Sequence, residues 1–375
     1  MTDITTPATG DLLYSEIEED LRASVRALLG KRSPWNVVLA RTESDATTDL
    51  ALWHTLTVDI GCAALAVPEA AGGAGAGWRE AAIVAEELGR AVAAVPFLGS
   101  AGIAVALLLE LGRSDLLGAV AGGATMAAVA LPFSTAPGDS VDAVLVRDGK
   151  LCGTVPSVAD AAAADFLLVP AGDAVYRVAA DAAGLRRTEV VSLDMTRPLV
   201  DLVFDSVEAE LLAAGEHIPA AVGEALRIGA VLLASEQLGL AERCFEMALE
   251  YVRIRRQFGR VIGSYQAIKH RLAELWVLLT HARAVARYAA ECAATRSPDL
   301  PVAAALAQAH CSVVSQQIAE ECVQFHGGIG FTWEHPAHLY LKRAKSSAIA
   351  LGTPERHRAA LAELVDIAAP HAEAC

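Results

Sequence analysis

The chain changes texture twice, and this constrains its fold more than any single motif. Residues 12–120 carry apolar side chains at helical spacing: Leu13, Ile17, Leu21, Val25 and Leu28, then Ile83, Val84, Leu88 and Val92. Recurrence every three to four residues puts one apolar stripe on a helix. From about 124 to 207 the pattern becomes short and β-like, with runs at 126–131, 141–146, 166–169, 175–178 and 199–204. Pro132, Pro137 and Pro170 punctuate them, and Asp148 and Gly149 are a hairpin signal between two of them. From about 218 the helical pattern returns. A first long helix runs to Phe258 and stops at Gly259. A second starts near Ser264, a candidate N-cap, with Ile268, Leu272, Leu275 and Leu279 on one stripe. Pro298 and Pro301 separate it from a third, with Val302, Leu306, Ala309, Val313 and Cys322. Gly327, Gly328 and Gly330 break the chain, and a last helix begins at Thr353, Pro354 and Glu355, with cap, first-turn proline and acid in order.

Composition narrows the function. At ~100–200 residues per domain, 375 residues allow two or three domains and a sizeable core. Hydrophobic residues make up 54% and aromatics 5%, so the apolar mass is Ala, Leu and Val, which suits helix more than sheet. A net charge of −15 argues against a nucleic-acid binder, which must neutralise phosphates. No run reaches the ~18 apolar residues of a bilayer span; the longest, 102–109, is cut by Glu110. The first twenty residues carry Asp3, Asp11, Glu16, Glu18, Glu19 and Asp20 with no Lys or Arg, so no signal peptide is expected. Seven cysteines without a C-x-x-C pair read as free thiols in a reducing cytoplasm, and Cys375 does not stand in a prenylation motif.

Four constellations invite chemistry. The glycines between 72 and 77 lack the G-x-G-x-x-G register and a following acid, and read as a turn rather than a phosphate cradle. Cys322 and His326 share a helix face, but the glycine break separates them from His335 and His338, so no metal site is expected. Arg253, Arg255, Arg256 and Arg260 crowd eight residues of an acidic chain around Phe258, which points to a phosphorylated ligand with a flat ring system. Gln324 to Phe331 ends a helix with three glycines, which let backbone N–H groups approach a ligand.

Three segments in order then match one family. They are Arg255-x-x-Phe258-Gly259 with Gln266 to His270, Gln324-x-x-Gly327-Gly328-x-Gly330-Phe331, and Gly352-Thr353-x-Glu355. With Val67-Pro68-Glu69, Gly72-Gly73 and Glu86-Glu87-Leu88-Gly89, the chain resembles the acyl-CoA dehydrogenases over nearly its whole length. The resemblance implies a mainly α chain with a β-barrel insert: an N-terminal α domain (1–122), a middle β domain (123–212) and a C-terminal four-helix bundle (213–375). It implies FAD as cofactor, an acyl-CoA substrate, and a carboxylate base that removes the α-proton.

The departures are informative. The two positions at which the family places its base hold Leu351 and Gly229, while Glu224, Arg227 and Glu236 are off register. The flavin loop is reduced to Ala130, Leu131, Pro132 and Phe133, and of the W-x-T that packs on the flavin only Thr154 remains. The family's FAD lies across a subunit interface. The residues that would contact a neighbour's FAD are kept: Arg255, Phe258, Gln266, Gln324 and Gly328. Thr353 and Glu355 complete the cofactor-binding set. The resemblance therefore implies a subunit of a heteromeric dehydrogenase, with the carboxylate on an unlike partner. The segment 325–340 and the compressed β domain resemble actinobacterial α2β2 dehydrogenases of steroid side-chain CoA thioesters. Two alternatives stand beside it: a homomeric flavoenzyme with oxidase or hydroxylase chemistry on a non-CoA substrate, and a non-catalytic binding module.

Overall fold

The computed structural model describes residues 12–44 and 46–367. Asp3, Asp11 and Cys375 lie outside the described residues. The N-terminal helices are α1 (Glu16–Arg32), α2 (Trp35–Thr42), α3 (Leu50–His54), α4 (Trp78–Arg90), α5 (Val105–Glu110) and α6 (Ser114–Ala121). Ser15 and Glu18 form a reciprocal capping box that starts α1. A π-helical stretch, Phe97–Ala104, leads straight into α5. The glycine run is a tight turn: a Cβ on Gly73 would lie 2.0 Å from the Val67 carbonyl oxygen.

Eight strands follow: β1 (Ala127–Val129), β2 (Val144–Arg147), β3 (Lys150–Ala159), β4 (Phe166–Ala171), β5 (Ala174–Ala179), β6 (Leu185–Val190), β7 (Leu199–Val207) and β8 (Glu210–Ala214). They form two four-stranded sheets, β1-β4-β5-β8 and β2-β3-β7-β6, rather than one closed barrel. Leu151, Val155, Leu167, Val169, Leu202 and Phe204 fill the core between them. Asp148 (φ 51°) and Gly149 (φ 75°) make the expected hairpin turn between β2 and β3. Strands β3, β6 and β8 have no counterpart among the sequence-expected runs. Their side chains are mostly exposed or half-buried, so none carries an apolar run.

The C-terminal part is built on α7 (Ile218–Ile254), α8 (Gln266–Ala294), α9 (Leu300–His326) and α10 (Ala337–Ile349), with α11 (Pro354–Leu364) against α9. Helix α7 is long and apolar enough to cross a membrane by length and composition, although no unbroken apolar run announces it; 72% of its most apolar window is buried inside the protein. It threads the molecule's centre. It packs so tightly on α4 that a Cβ on Gly89 would lie 2.0 Å from the Glu236 carbonyl oxygen, and one on Gly239 1.8 Å from that of Glu86. Two local expectations are corrected. Helix α7 ends at Ile254 rather than Phe258, because Arg256–Gln257 pairs with Arg260–Val261 as a hairpin turning through Phe258 (φ 49°) and Gly259 (φ 79°). Ser264 does not cap α8; its hydroxyl donates to the Val261 carbonyl, and Tyr265 occupies the cap position. The last helix starts as read: the Thr353 hydroxyl accepts the Arg356 N–H, and Pro354 opens the first turn.

Candidate functional site

The two positions that the resemblance marks for a base meet in space. Gly229 sits in the first third of α7, and Leu351 lies in the turn between α10 and α11. A Cβ on Gly229 would lie 2.7 Å from Ile103 Cγ1 and 3.1 Å from Leu351 Cδ1. Leu351 is 1% exposed and held at a left-handed φ of 53°. Its N–H donates to the Phe133 carbonyl at 2.7 Å, and the Phe133 N–H donates to the Ser157 carbonyl on β3 at 3.0 Å. The eroded loop after β1 is thereby stitched over the turn. Ile103, Leu131, Phe133, Leu226 and Leu351 line what space is left, a cavity of about 20 Å³. That admits about one water molecule. Among the described residues, no titratable side chain lines it.

The neighbouring charges are committed elsewhere. Glu236 accepts from Arg197 at 2.5 and 2.6 Å and from Arg343 at 3.2 Å. Arg343 also pairs with Asp194 at 3.1 Å and donates to the Ala93 and Thr196 carbonyls, both at 3.1 Å. Arg197 lies over the Phe133 ring, 5.1 Å from its centroid, and so backs the same loop. Asp160 accepts the Gly99 N–H at 2.8 Å, and burial raises its pKa above the usual carboxylate range. Glu224 pairs with Arg227. Both line a surface cavity of about 640 Å³ at the start of α7, with Trp78, His217 and Arg296. Glu224 and Glu236 stand ~7.5 and ~10.5 Å along the helix axis from Gly229, so neither replaces the missing base.

The basic segment occupies the far end of the bundle. Ile254, where α7 ends, is ~37 Å from Gly229 along the axis. Arg255 and the hairpin tip are exposed, and Phe258 is 91% exposed. Arg260 stacks on the Tyr265 ring at 3.8 Å, and the Tyr265 hydroxyl donates to the Gln257 carbonyl at 3.3 Å, which fixes the hairpin against the start of α8. Gln266, the first residue of α8, is exposed. The end of α9 comes alongside: the Tyr251 and His326 rings lie 4.4 Å apart, so exposed Gln324 and Gly328 share this end. Among the described residues, nothing stands within 4 Å of where a Gly328 Cβ would be.

Arg255, Phe258, Gln266, Gln324 and Gly328 are thus brought together, and the other three residues are not. Thr154 is exposed on β3, opposite Val203. Thr353 serves as a helix cap beside the sealed turn. Glu355 is exposed, and its own and neighbouring hydrogen bonds hold its pKa below the usual range. Sequence reasoning missed the seal and the Arg197–Glu236–Arg343 network. Its members lie far apart in sequence and follow no motif.

Models of the family "Acyl-CoA dehydrogenase, N-terminal domain" match residues 15–117, and "Acyl-CoA dehydrogenase, C-terminal domain" residues 220–365. The chain belongs to the acyl-CoA dehydrogenase family of oxidoreductases. It is 36% identical over 341 residues to acyl-CoA dehydrogenase IpdE2 of Mycolicibacterium smegmatis, covering 91% of this chain and 96% of that one. Among solved structures it is similar to a variant of the Tcur3481–Tcur3483 steroid ACAD, with TM-score 0.83, 28% identity, and 94% and 98% of the two chains covered. It is also similar to the ChsE4–ChsE5 complex of Mycobacterium tuberculosis, with TM-score 0.84, 26% identity, and 96% and 100% covered.

Proposed function

We propose that this chain is the base-lacking subunit of a heteromeric acyl-CoA dehydrogenase, completing the FAD site of an unlike partner that carries the catalytic carboxylate. The observation that carries this reading is the seal over Leu351 and Gly229. It leaves neither a proton acceptor nor room for an acyl chain at this chain's own reaction centre. Proton abstraction next to a thioester needs a base within hydrogen-bond reach of the α-carbon. The partner would supply it, and FAD, when bound, would supply the hydride acceptor.

This chain's residues would hold the far end of that cofactor. Arg255 would offer a forked set of donors to its pyrophosphate. Phe258, Gln266 and Gln324 would hold its adenosine, and Gly328 would leave its backbone free to approach because it has no side chain. Thr154, Thr353 and Glu355 lie with the sealed half and are left over from a complete site. Two solved relatives are named for two chains, which supports a two-chain enzyme, and one of those names includes a steroid, which supports a steroid CoA thioester as the substrate. Six free cysteines among the described residues suit a cytoplasmic protein. The homomeric reading needs ring and substrate side by side where about 20 Å³ remains, and nothing favours it.

The test is co-expression with an acyl-CoA dehydrogenase subunit that carries a base. The chain alone is expected to be inactive on acyl-CoA, and the co-purified pair active. Ordinary turnover by this chain as a homo-oligomer would refute the proposal.

A further inference from the structure

The hairpin that carries Phe258 and follows Arg255 is too small to hold its own shape. Arg256–Gln257 pairs with Arg260–Val261, so each strand has two residues. An isolated two-stranded ribbon is marginal in water even when it is longer. Its turn holds Phe258 at a φ of 49°, a left-handed conformation that a bulky side chain rarely adopts. Arg253, Arg255, Arg256 and Arg260 crowd the same end of the molecule with like charge. Among the described residues, none of the four pairs with a carboxylate. Something outside the ribbon must hold it.

Tyr265 does so, and the sequence motif gives it no role. Its ring lies under the Arg260 guanidinium, 3.8 Å from the centroid, and so holds one strand of the ribbon. Its hydroxyl donates to the Gln257 carbonyl at 3.3 Å and so holds the other. Tyr265 is itself fixed. Its N–H donates to the Ile262 carbonyl at 3.1 Å, and its own carbonyl accepts the Lys269 N–H at 3.1 Å in the first turn of α8. The Ile262 N–H in turn donates to the Arg255 carbonyl at 2.8 Å. Gln266 follows directly as the first residue of α8. One half-buried side chain thus ties together the segments that carry Arg255, Phe258 and Gln266.

We propose that Tyr265 is a positioning residue of the shared cofactor site: by clasping Arg260 and the Gln257 carbonyl, it presets Arg255 and Phe258 to receive the partner's FAD. This rests on the reading of the chain as the subunit that completes that site. The physical reason is preorganisation. A ligand binds only the fraction of molecules whose site is already shaped, and its apparent affinity falls with that fraction. An exposed cation–π contact and a neutral hydrogen bond together change such a fraction roughly 10-fold. The clasp acts through the ribbon, so its loss weakens FAD binding without touching the chemistry.

The experiment uses the complex of the full chain with a base-carrying partner, stripped of flavin and titrated with FAD. Tyr265→Leu removes both contacts, and Tyr265→Phe keeps the ring under Arg260. Tyr265→Leu is expected to raise the FAD Kd roughly 10-fold, while kcat at saturating FAD and the KM for acyl-CoA stay at wild-type values. Tyr265→Phe is expected to recover most of that loss. In an Arg255→Ala, Phe258→Ala background, Tyr265→Leu is expected to add nothing, because the groups it positions are gone. Amide hydrogen exchange on the chain alone should be faster at Ile262 in Tyr265→Leu, with the middle of α7 and α8 unchanged. An unchanged FAD Kd in Tyr265→Leu, a loss that adds in full to that of Arg255→Ala and Phe258→Ala, or a kcat that saturating FAD does not restore would overturn the proposal. The reading beneath it fails differently: if the wild-type pair binds no FAD, or if Arg255→Ala and Phe258→Ala leave its binding unchanged, the shared site itself is refuted and the clasp with it.

Discussion

Leu351→Glu puts a carboxyl at the position that the resemblance marks for the base and tests the seal. Leu351 is 1% exposed, and removing its buried side chain costs about 2 kcal/mol. The new carboxyl has no cation within the cavity lining and room for about one water, so it stays protonated in the folded state. Holding a glutamate of ordinary pKa ~4.3 neutral at pH 7 adds ~3.7 kcal/mol. The sign follows from proton binding. The folded state keeps a proton that the unfolded state has lost, so the penalty is absent below pH ~4 and grows as pH rises. The total is ~5–6 kcal/mol at pH 7. Unfolding entropy of about 2.1 cal/mol/K per residue over 375 residues gives ~1.3 °C per kcal/mol, hence a fall in Tm of ~7 °C. Calorimetry at pH 5 and pH 8 should find the smaller fall at pH 5, with no dehydrogenation of acyl-CoA by the variant alone. A Leu351→Glu chain of unchanged Tm that turns over acyl-CoA as a homo-oligomer would refute the reasoning, because it would mean that the pocket is open.

Further outcomes follow from the same geometry. Arg255→Ala and Phe258→Ala remove exposed side chains and should change stability by less than ~0.5 kcal/mol, while FAD retention by the paired complex falls roughly 10- to 100-fold in equilibrium dialysis. Glu236→Gln leaves Arg197 and Arg343 buried without their shared carboxylate. Denaturant titration should show a loss of about 3–5 kcal/mol, with Glu224→Gln, half-exposed, nearly neutral. Burial, then the nearby Glu242 carboxylate, raise Glu86 to about 7. The folded form therefore binds this proton more tightly than the unfolded form. The stability of the wild-type chain relative to Glu86→Gln should decline by about 3 kcal/mol between pH 4.5 and 7 and be flat above that, in urea titrations at each pH.

How legible was this molecule in its sequence? The helix–strand–helix order was plain because periodicity reports which face is buried, and each layer here buries a face. The hairpin at Asp148 and Gly149 and the start of α11 were plain because turn and cap chemistry is local. Strands β3, β6 and β8 were hidden because few of their side chains are buried. The end of α7 was misread by four residues because Phe258 adopts the left-handed conformation that a glycine rule does not anticipate. For the site, motif spacing located Leu351 and Gly229. It could not show that Ile103, Phe133 and Leu226 close over them, since only the packing of α7 against the loop after β1 joins those residues.

FAD content per chain tests the central claim most directly. The chain purified alone should retain no flavin, and the active complex with a base-carrying partner should hold one FAD for every two chains. One FAD per chain in an active homo-oligomer would contradict the account.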